Sequence, residues 1–278
     1  MPTLREKRAA FRALHAQGCF VLPNPWDVGG ARVLAGLGFK ALATTSAGHA
    51  WSLGLPDGAI TRDMALAHLR TMVQATDLPV NADFESGHAA DPDGVAVSVG
   101  MAIEAGAAGL SIEDSTGDPA HPVRDLADAV ARLRAARAAI DRAGGDTLLV
   151  GRAENFFVGR PDLADTLVRL QAYAEAGADC LYAPGIRTRD QILAVVAAVA
   201  PKPVNLLIGS PSEFSLQDVA AMGVRRVSVG GALARAAWGG FLRGARLLAE
   251  EGRFDGFADA APGVGLNRFF GGDAGVPD

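Results

Sequence analysis

Residues 104–115 read EAGAAGLSIEDS, a helix end rich in Ala and Gly that runs into a short apolar stretch and then two carboxylates. The phrase returns as AGLGFKALATTS at 35–46, EAGADCLYAPG at 175–185 and AMGVRRVSVGG at 221–231. In each copy a glycine (Gly38, Gly106, Gly177 or Gly223) stands where a helix takes a left-handed residue just past its end. The intervals are irregular, so the phrase marks a structural module rather than a solenoid repeat.

Working outward from these four copies gives eight candidate strands: CFVLPN, ALATTS, PVNADF, GLSIED, TLLVGRA, CLYAPG, PVNLLI and RVSVGG. They are short, apolar and not strictly alternating, as parallel strands covered on both faces are. Helical segments lie between them with start signals at Asp27, Thr61, Asp91–Pro92, Pro161 and Ser215. The N-terminal MPTLREKRAAFRALHAQG has helical spacing as well. Eight alternations without a Ser/Gly/Pro-rich linker predict an α/β protein, a (β/α)8 TIM barrel forming one domain over residues 1–278. Its C-terminal helical extension begins at about residue 231. An open doubly wound sheet would carry a glycine-rich phosphate loop after its first strand, and NPWDVGG is not one.

Composition narrows the partners. With 49% hydrophobic residues the chain can fill a sizeable core, and its net charge of −5 argues against a nucleic-acid binder. No apolar stretch approaches the ~20 residues that cross a bilayer, and the N-terminus lacks a signal peptide's apolar centre. A cytoplasmic protein with no membrane partner is expected. Cys19 and Cys180 stand far apart and in no metal spacing, so neither a disulfide framework nor a zinc site is indicated; both read as small buried hydrophobes.

In a barrel the active site is built at the C-terminal strand ends. There the sequence offers Asn24, Ser46, Asp83, Glu85, Glu113, Asp114, Arg152, Glu154 and Asn205. In NADFESG (81–87), strand alternation would aim Asp83 and Glu85 at one patch, where like charges repel. Carboxylates from adjacent strands without a His or Cys ligand pair suit a hard divalent cation, Mg²⁺ or Mn²⁺. Arg152 would then grip a substrate carboxylate or phosphate with its planar fork. The other reading of the same residues is a structural network in which Asp83 and Glu85 pair with Arg152 and backbone N–H groups. Asn205 points either into the barrel or at a substrate.

The segments TSAGHAWSLGLPDG, DFESGHA, SIED and GRAEN, in this order, resemble the isocitrate lyase/phosphoenolpyruvate mutase superfamily, over about Phe20 to Trp238. The resemblance implies a barrel of the phosphoenolpyruvate/pyruvate type and a Mg²⁺-dependent enzyme. Such enzymes make or break C–C bonds, or rearrange or hydrolyse P–C bonds, next to a 2-oxo acid through a metal-held enolate. Carried onto this chain, the superfamily's Ser-Gly-Leu substrate loop falls on Ser46, Ala47 and Gly48, and its following Asp on Asp57. Its metal motif makes Asp83 the inner ligand and Glu85 an outer one, with Glu113 alongside, and its substrate arginine is Arg152. Asp57, Glu113 and Arg152 are the implied catalytic residues.

Departures from the pattern are Glu85 for Asp, His88 for Tyr and Ala47 for Gly. The gating loop, DSTGDPAHPVRD (114–125), lacks the lyases' cysteine and the phosphonomutases' lysine and asparagine, leaving His121 as its one acid/base. The expected activity is therefore C–C cleavage or decarboxylation of a small 2-oxo or 2-hydroxy dicarboxylate. The alternatives are a phosphonate mutase or hydrolase, or a degenerate binder of 2-oxo acids without turnover. Resemblance further implies a homo-oligomer, tetramer or dimer, that exchanges a C-terminal helix. GALARAAWGGFLRGARLLAEEG (231–252) has the amphipathic pattern for that, or for closing its own barrel.

Overall fold

The computed structural model describes residues 2–277. Eight strands follow the expected segments: β1 (Phe20–Leu22), β2 (Leu42–Ala43), β3 (Val80–Asp83), β4 (Gly109–Glu113), β5 (Leu148–Arg152), β6 (Cys180–Tyr182), β7 (Val204–Leu207) and β8 (Arg226–Ser228). All pair in parallel, in the order β1-β8-β7-β6-β5-β4-β3-β2. The seam between β1 and β2 is closed by single bonds rather than a ladder. Ala43 N–H donates to the Pro23 carbonyl at 3.0 Å. Asn24 donates to Thr44 O at 2.9 Å and accepts the N–H groups of Val229 and Gly230 at 3.0 and 2.9 Å. Asn24 thus ties three strand ends together, and the (β/α)8 barrel is as expected.

Eleven α-helices are described: α1 (Leu4–Leu14), α2 (Val28–Gly36), α3 (Ser46–Ser52), α4 (Arg62–Ala75), α5 (Pro92–Glu104), α6 (Leu126–Arg142), α7 (Leu163–Glu175), α8 (Arg189–Val199), α9 (Leu216–Ala221), α10 (Ala232–Glu251) and α11 (Gly263–Gly271). Asp27, Thr61, Asp91 and Ser215 cap their helices through side-chain oxygens, as their positions predict. For α7 the cap is Asp162, one residue past Pro161. Helix α3 is a departure, because SAGHAWS is expected as a loop; Thr45 Oγ1 accepts the Gly48 N–H at 3.2 Å and starts a two-turn helix there.

The main core lies between sheet and helices, where Leu69, Val95, Leu110, Leu149 and Val195 are excluded from solvent. Helix α1 plugs the N-terminal end of the barrel with Phe11. Gly109 makes room for it, since a Cβ there would sit 2.7 Å from the Phe11 ring. The barrel interior itself is polar. Buried Arg226 donates from Nε to Asn205 Oδ1 at 2.8 Å, and Asn205 donates to Ser228 Oγ at 2.9 Å. No described helix is long and apolar enough to cross a membrane. Cys180 is fully buried, whereas Cys19 is only partly so.

Candidate active site

The register sets Glu113 beside Arg152, Arg152 beside Tyr182 and Tyr182 beside Asn205. Four consecutive strands therefore aim one row of polar side chains at the C-terminal mouth. Strand β3 stops at Asp83, so simple alternation does not place Glu85. Phe84 is buried, and Glu85 and His88 turn the chain in left-handed backbone, with φ of 46° and 48°. Such conformations cost non-glycine residues about 1–3 kcal/mol and gather at functional sites. The Glu113 N–H holds this turn by donating to Glu85 O at 3.0 Å.

Arg152 is the hub. Its Nη1 lies 3.2 Å from Asp83 Oδ1 and 3.3 Å from Glu113 Oε2, and its Nε donates to Glu154. The rings of Tyr182 and Phe157 sit 5.2 and 5.7 Å from the guanidinium carbon. Its Nη2 makes no hydrogen bond among the described residues. Asp83 Oδ2 accepts the Ser46 N–H and hydroxyl at 3.0 and 3.1 Å, and Ser46 Oγ is 3.5 Å from Asp57 Oδ1. Asp57, Asp83, Glu85, Glu113 and Glu154 thus surround a single cation.

That excess of negative charge is felt by the carboxyls. Burial, then the charges of Asp83 and Asp57, push Glu85 up to about 7. Burial likewise raises Glu113 well above the carboxylate range, against the pull of Arg152. Burial and Asp83 raise Asp57. Glu85 Oε1 is buried with no hydrogen-bond partner, and Oε2 stands 3.9 Å from His88 Nδ1.

The expected metal ligands Asp83, Glu85 and Glu113 meet at this hub but do not form a three-ligand cage. No three His, Cys, Asp or Glu side chains among the described residues do so, because the guanidinium sits between Asp83 and Glu113. All donors are hard oxygens, and one of them is buried and unbonded. That suits a Mg²⁺-like ion, which takes one or two carboxylates and keeps its waters.

Asp57, Asp83 and Arg152 form one wall of a cavity of about 610 Å³ at the barrel mouth, whereas Glu113 and Glu154 lie outside its lining and Glu85 faces a small separate pocket with His49, His68 and His88. Ser46, Ala47, Asp57, Asp83, Arg152 and Asn205 line the large cavity. Gly48 does not: its N–H serves the α3 cap, and a Cβ there would strike Thr45 and crowd Trp26. Ala47 keeps an N–H with no partner among the described residues, at the start of α3. Asn205 lies on the floor, with its amide committed to Arg226 and Ser228.

Asp114 turns away from the mouth to accept Glu154 N–H, Arg169 and Tyr173 at 2.8, 3.1 and 2.5 Å. Its role is to lock β4, β5 and α7. His121 is 86% exposed, beside Asp118, and the 115–125 loop contributes nothing to the cavity wall. Tyr182, Asn81 and Ser228 also line the cavity and were missed in the sequence. The Pro-Val-Asn of 203–205, repeated at 79–81, is the signal that could have added Asn81 to Asn205.

A family model described as phosphoenolpyruvate phosphomutase matches residues 11–249, a span that holds every residue of the hub. The chain belongs to the phosphoenolpyruvate phosphomutase family. The resemblance to the isocitrate lyase/phosphoenolpyruvate mutase superfamily is thereby met, and with it the expectation of an enzyme. A Burkholderia cenocepacia protein provisionally named a lyase/mutase is 50% identical, with a TM-score of 0.94 over 97% of this chain and 98% of its own. The oxaloacetate decarboxylase of Rhodopseudomonas palustris (strain BisA53) is 32% identical over 238 residues, 81% of this chain and 78% of that protein. A 2,3-dimethylmalate lyase of the same superfamily is 27% identical, with a TM-score of 0.85 over 98% of this chain and 96% of its own. These relatives, with the family match, support a carbon–carbon lyase.

Proposed function

We propose that the protein is a divalent-cation-dependent lyase that decarboxylates, or cleaves a C–C bond in, a small 2-oxo or 2-hydroxy dicarboxylate. The observation that carries this reading is the hub itself: five carboxyls around one arginine, with Glu85 Oε1 buried and unbonded. Similarity to an oxaloacetate decarboxylase and a dimethylmalate lyase supports the substrate class.

Asp83 would hold Mg²⁺ or Mn²⁺ directly, with Glu85 and Glu113 acting through water. When bound, the cation supplies Lewis-acid polarisation of the substrate's 2-oxo or 2-hydroxy oxygen. The rest falls to the chain's own groups. Arg152 Nη2 and the Ala47 N–H offer donors to a carboxylate, while Glu154 keeps the guanidinium from swinging. Loss of carbon dioxide leaves an enolate whose carbon needs a proton. Asp57, raised by burial, can carry one at its carboxyl oxygen on the cavity wall. The same reading includes a homo-oligomer, because α10 presents Trp238, Phe241 and Leu242 to solvent, a face that a second copy would cover.

The test is steady-state turnover of oxaloacetate, 2,3-dimethylmalate, methylisocitrate, isocitrate and phosphonopyruvate, each with Mg²⁺, with Mn²⁺ and with EDTA. Cation-dependent turnover of a C4–C6 dicarboxylate that Asp83→Ala abolishes is expected. Exclusive turnover of phosphonopyruvate, or none of any compound, would overturn the proposal.

A further inference from the structure

The barrel floor holds a cation that the chemistry at the mouth does not use. Arg226 opens β8 and pairs in register with Phe20, the first residue of β1. It therefore belongs to the N-terminal half of the barrel, away from the strand ends that carry the hub. It is only 2% exposed, yet it lines the large cavity together with Asn81, Asn205 and Ser228. The two other buried arginines among the described residues each have a carboxylate. Arg132 has Asp128 at 3.0 Å, and Arg169 has Asp165 and Asp114 at 2.7 and 3.1 Å. Arg226 has none among the described residues.

A guanidinium carries five N–H donors. Here one of them is satisfied at normal length, Nε to Asn205 Oδ1 at 2.8 Å. Nη1 makes two long contacts, 3.4 Å to His15 Nε2 and 3.5 Å to Asn81 Oδ1. Nη2 makes no hydrogen bond among the described residues. Burial lowers the pKa of Arg226, and the groups that oppose this are the Cys180 thiol and the Tyr182 phenol, both held neutral by their own burial. The charge stays, since an arginine keeps its proton in a folded protein. A buried charge without a partner carries a heavy desolvation cost, and the cavity that reaches this one gives an ion the way in.

We infer that the cavity floor is a binding site for a small free monoanion, held by the Arg226 guanidinium with the Ser228 hydroxyl beside it. Ser228 stands two residues on, on the same inward face of the strand, and Asn205 is bonded to both. Ser228 Oγ accepts from Asn205 at 2.9 Å, and its own hydrogen is committed to no acceptor among the described residues. One cation among neutral donors matches one negative charge. Chloride and hydrogencarbonate share that chemistry, being compact, singly charged and able to accept several donors. The site uses no group of the hub and so does not depend on the lyase reading.

The test is the melting temperature of the full chain in EDTA at pH 8 and one ionic strength, with sodium gluconate exchanged for sodium chloride or sodium hydrogencarbonate. Gluconate is the bulky monoanion that the floor excludes. A rise of about 2–4 °C over gluconate is expected once the fitting anion reaches a few times its Kd. The larger rise of the two names the anion. Arg226→Gln, which keeps a donor for Asn205, is expected to lose the rise, and Arg226→Lys to keep part of it. Crystals of the parent protein grown in bromide give a second reading that needs no variant to fold: an anomalous peak beside the Arg226 guanidinium is expected.

Equal melting in all three salts, an undiminished rise in Arg226→Gln, or bromide found at Arg152 and not at Arg226 would each overturn the site. Bromide beside Arg226 with no shift of melting in solution would mean an adventitious ion only, and the proposal would fall.

Discussion

At the scale of single residues, Arg152 serves several partners through one planar group. Glu154 takes Nε, Asp83 and Glu113 share Nη1, and Nη2 has no partner among the described residues. A lysine keeps the charge and loses that division of labour. Arg152→Lys is expected to weaken binding of oxalate, a small planar dicarboxylate, by about 1.5–3 kcal/mol, the scale of a hydrogen bond to a charged group. Calorimetry on the Mg²⁺-loaded protein measures it, and parent-like affinity would assign Arg152 to holding its carboxylate neighbours only. Glu85 gives the site a pH dependence of defined sign. Its carboxyl is held up to about 7, so below that pH a proton competes with a cation for the same oxygens. Mg²⁺ affinity should therefore fall between pH 8 and 6, and Glu85→Gln should flatten the profile; an unchanged slope would remove Glu85 from the cation's surroundings.

At the scale of elements, the short helix α3 connects local sequence to the hub. Its cap is Thr45, and its first residue is Ser46, whose N–H and hydroxyl both reach Asp83. Thr45→Ala is expected to cost about 1 kcal/mol of stability. It should lower kcat/KM by more than that loss explains, because Ser46 and Ala47 swing with the helix start. Urea unfolding and kinetics on the same preparations test this, with Thr45→Ser as the variant that keeps the cap. Parent-like kcat/KM in a destabilised Thr45→Ala protein would show that the cap serves folding alone. The caps Asp27, Thr61, Asp91 and Ser215 were legible because each stands directly before a helical apolar pattern, whereas Thr3 and Thr188 were not singled out. Helix α3 was not legible, since SAGHAWS carries no helical apolar period and its placement depends on Trp26 and Ala234 pressing on Gly48 from elsewhere in the chain.

At the scale of the whole molecule, the polar barrel interior carries a pH liability. His15 Nδ1 lies 2.8 Å from Phe11 O and Nε2 lies 3.4 Å from Arg226 Nη1, which requires a neutral ring with its proton on Nδ1. Burial, then the Arg226 charge, lowers its pKa to about 3. The unfolded chain takes up that proton near 6.5 while the folded one refuses it, so stability is present above 6.5 and is lost as pH falls toward 3. His68, lowered to about 4 by burial and by its stacked neighbour His49, acts in the same direction. The melting temperature should fall from pH 7 to pH 4, and His15→Gln should reduce the slope whatever it does to the absolute value. Scanning calorimetry across that range measures it, and an identical slope would locate the acid sensitivity elsewhere.

The sequence by itself determined the eight β/α units, the caps Asp27, Thr61, Asp91 and Ser215, the family and the gathering of acids at the strand ends. Those features are local or ordered along the chain: apolar runs, glycines just past helix ends, capping residues and motif segments in series. Only the tertiary structure decided which way each strand-end side chain turns. Asp114 follows Glu113 directly, yet it is drawn inward by Arg169 and Tyr173, 55 and 59 residues on. Asn24 spends its amide on the barrel seam, and Glu85 reaches the hub by a left-handed turn rather than along the strand. A side chain at a strand end takes its direction from the neighbouring strands and helices, and in a parallel barrel those neighbours are always a crossover away in sequence.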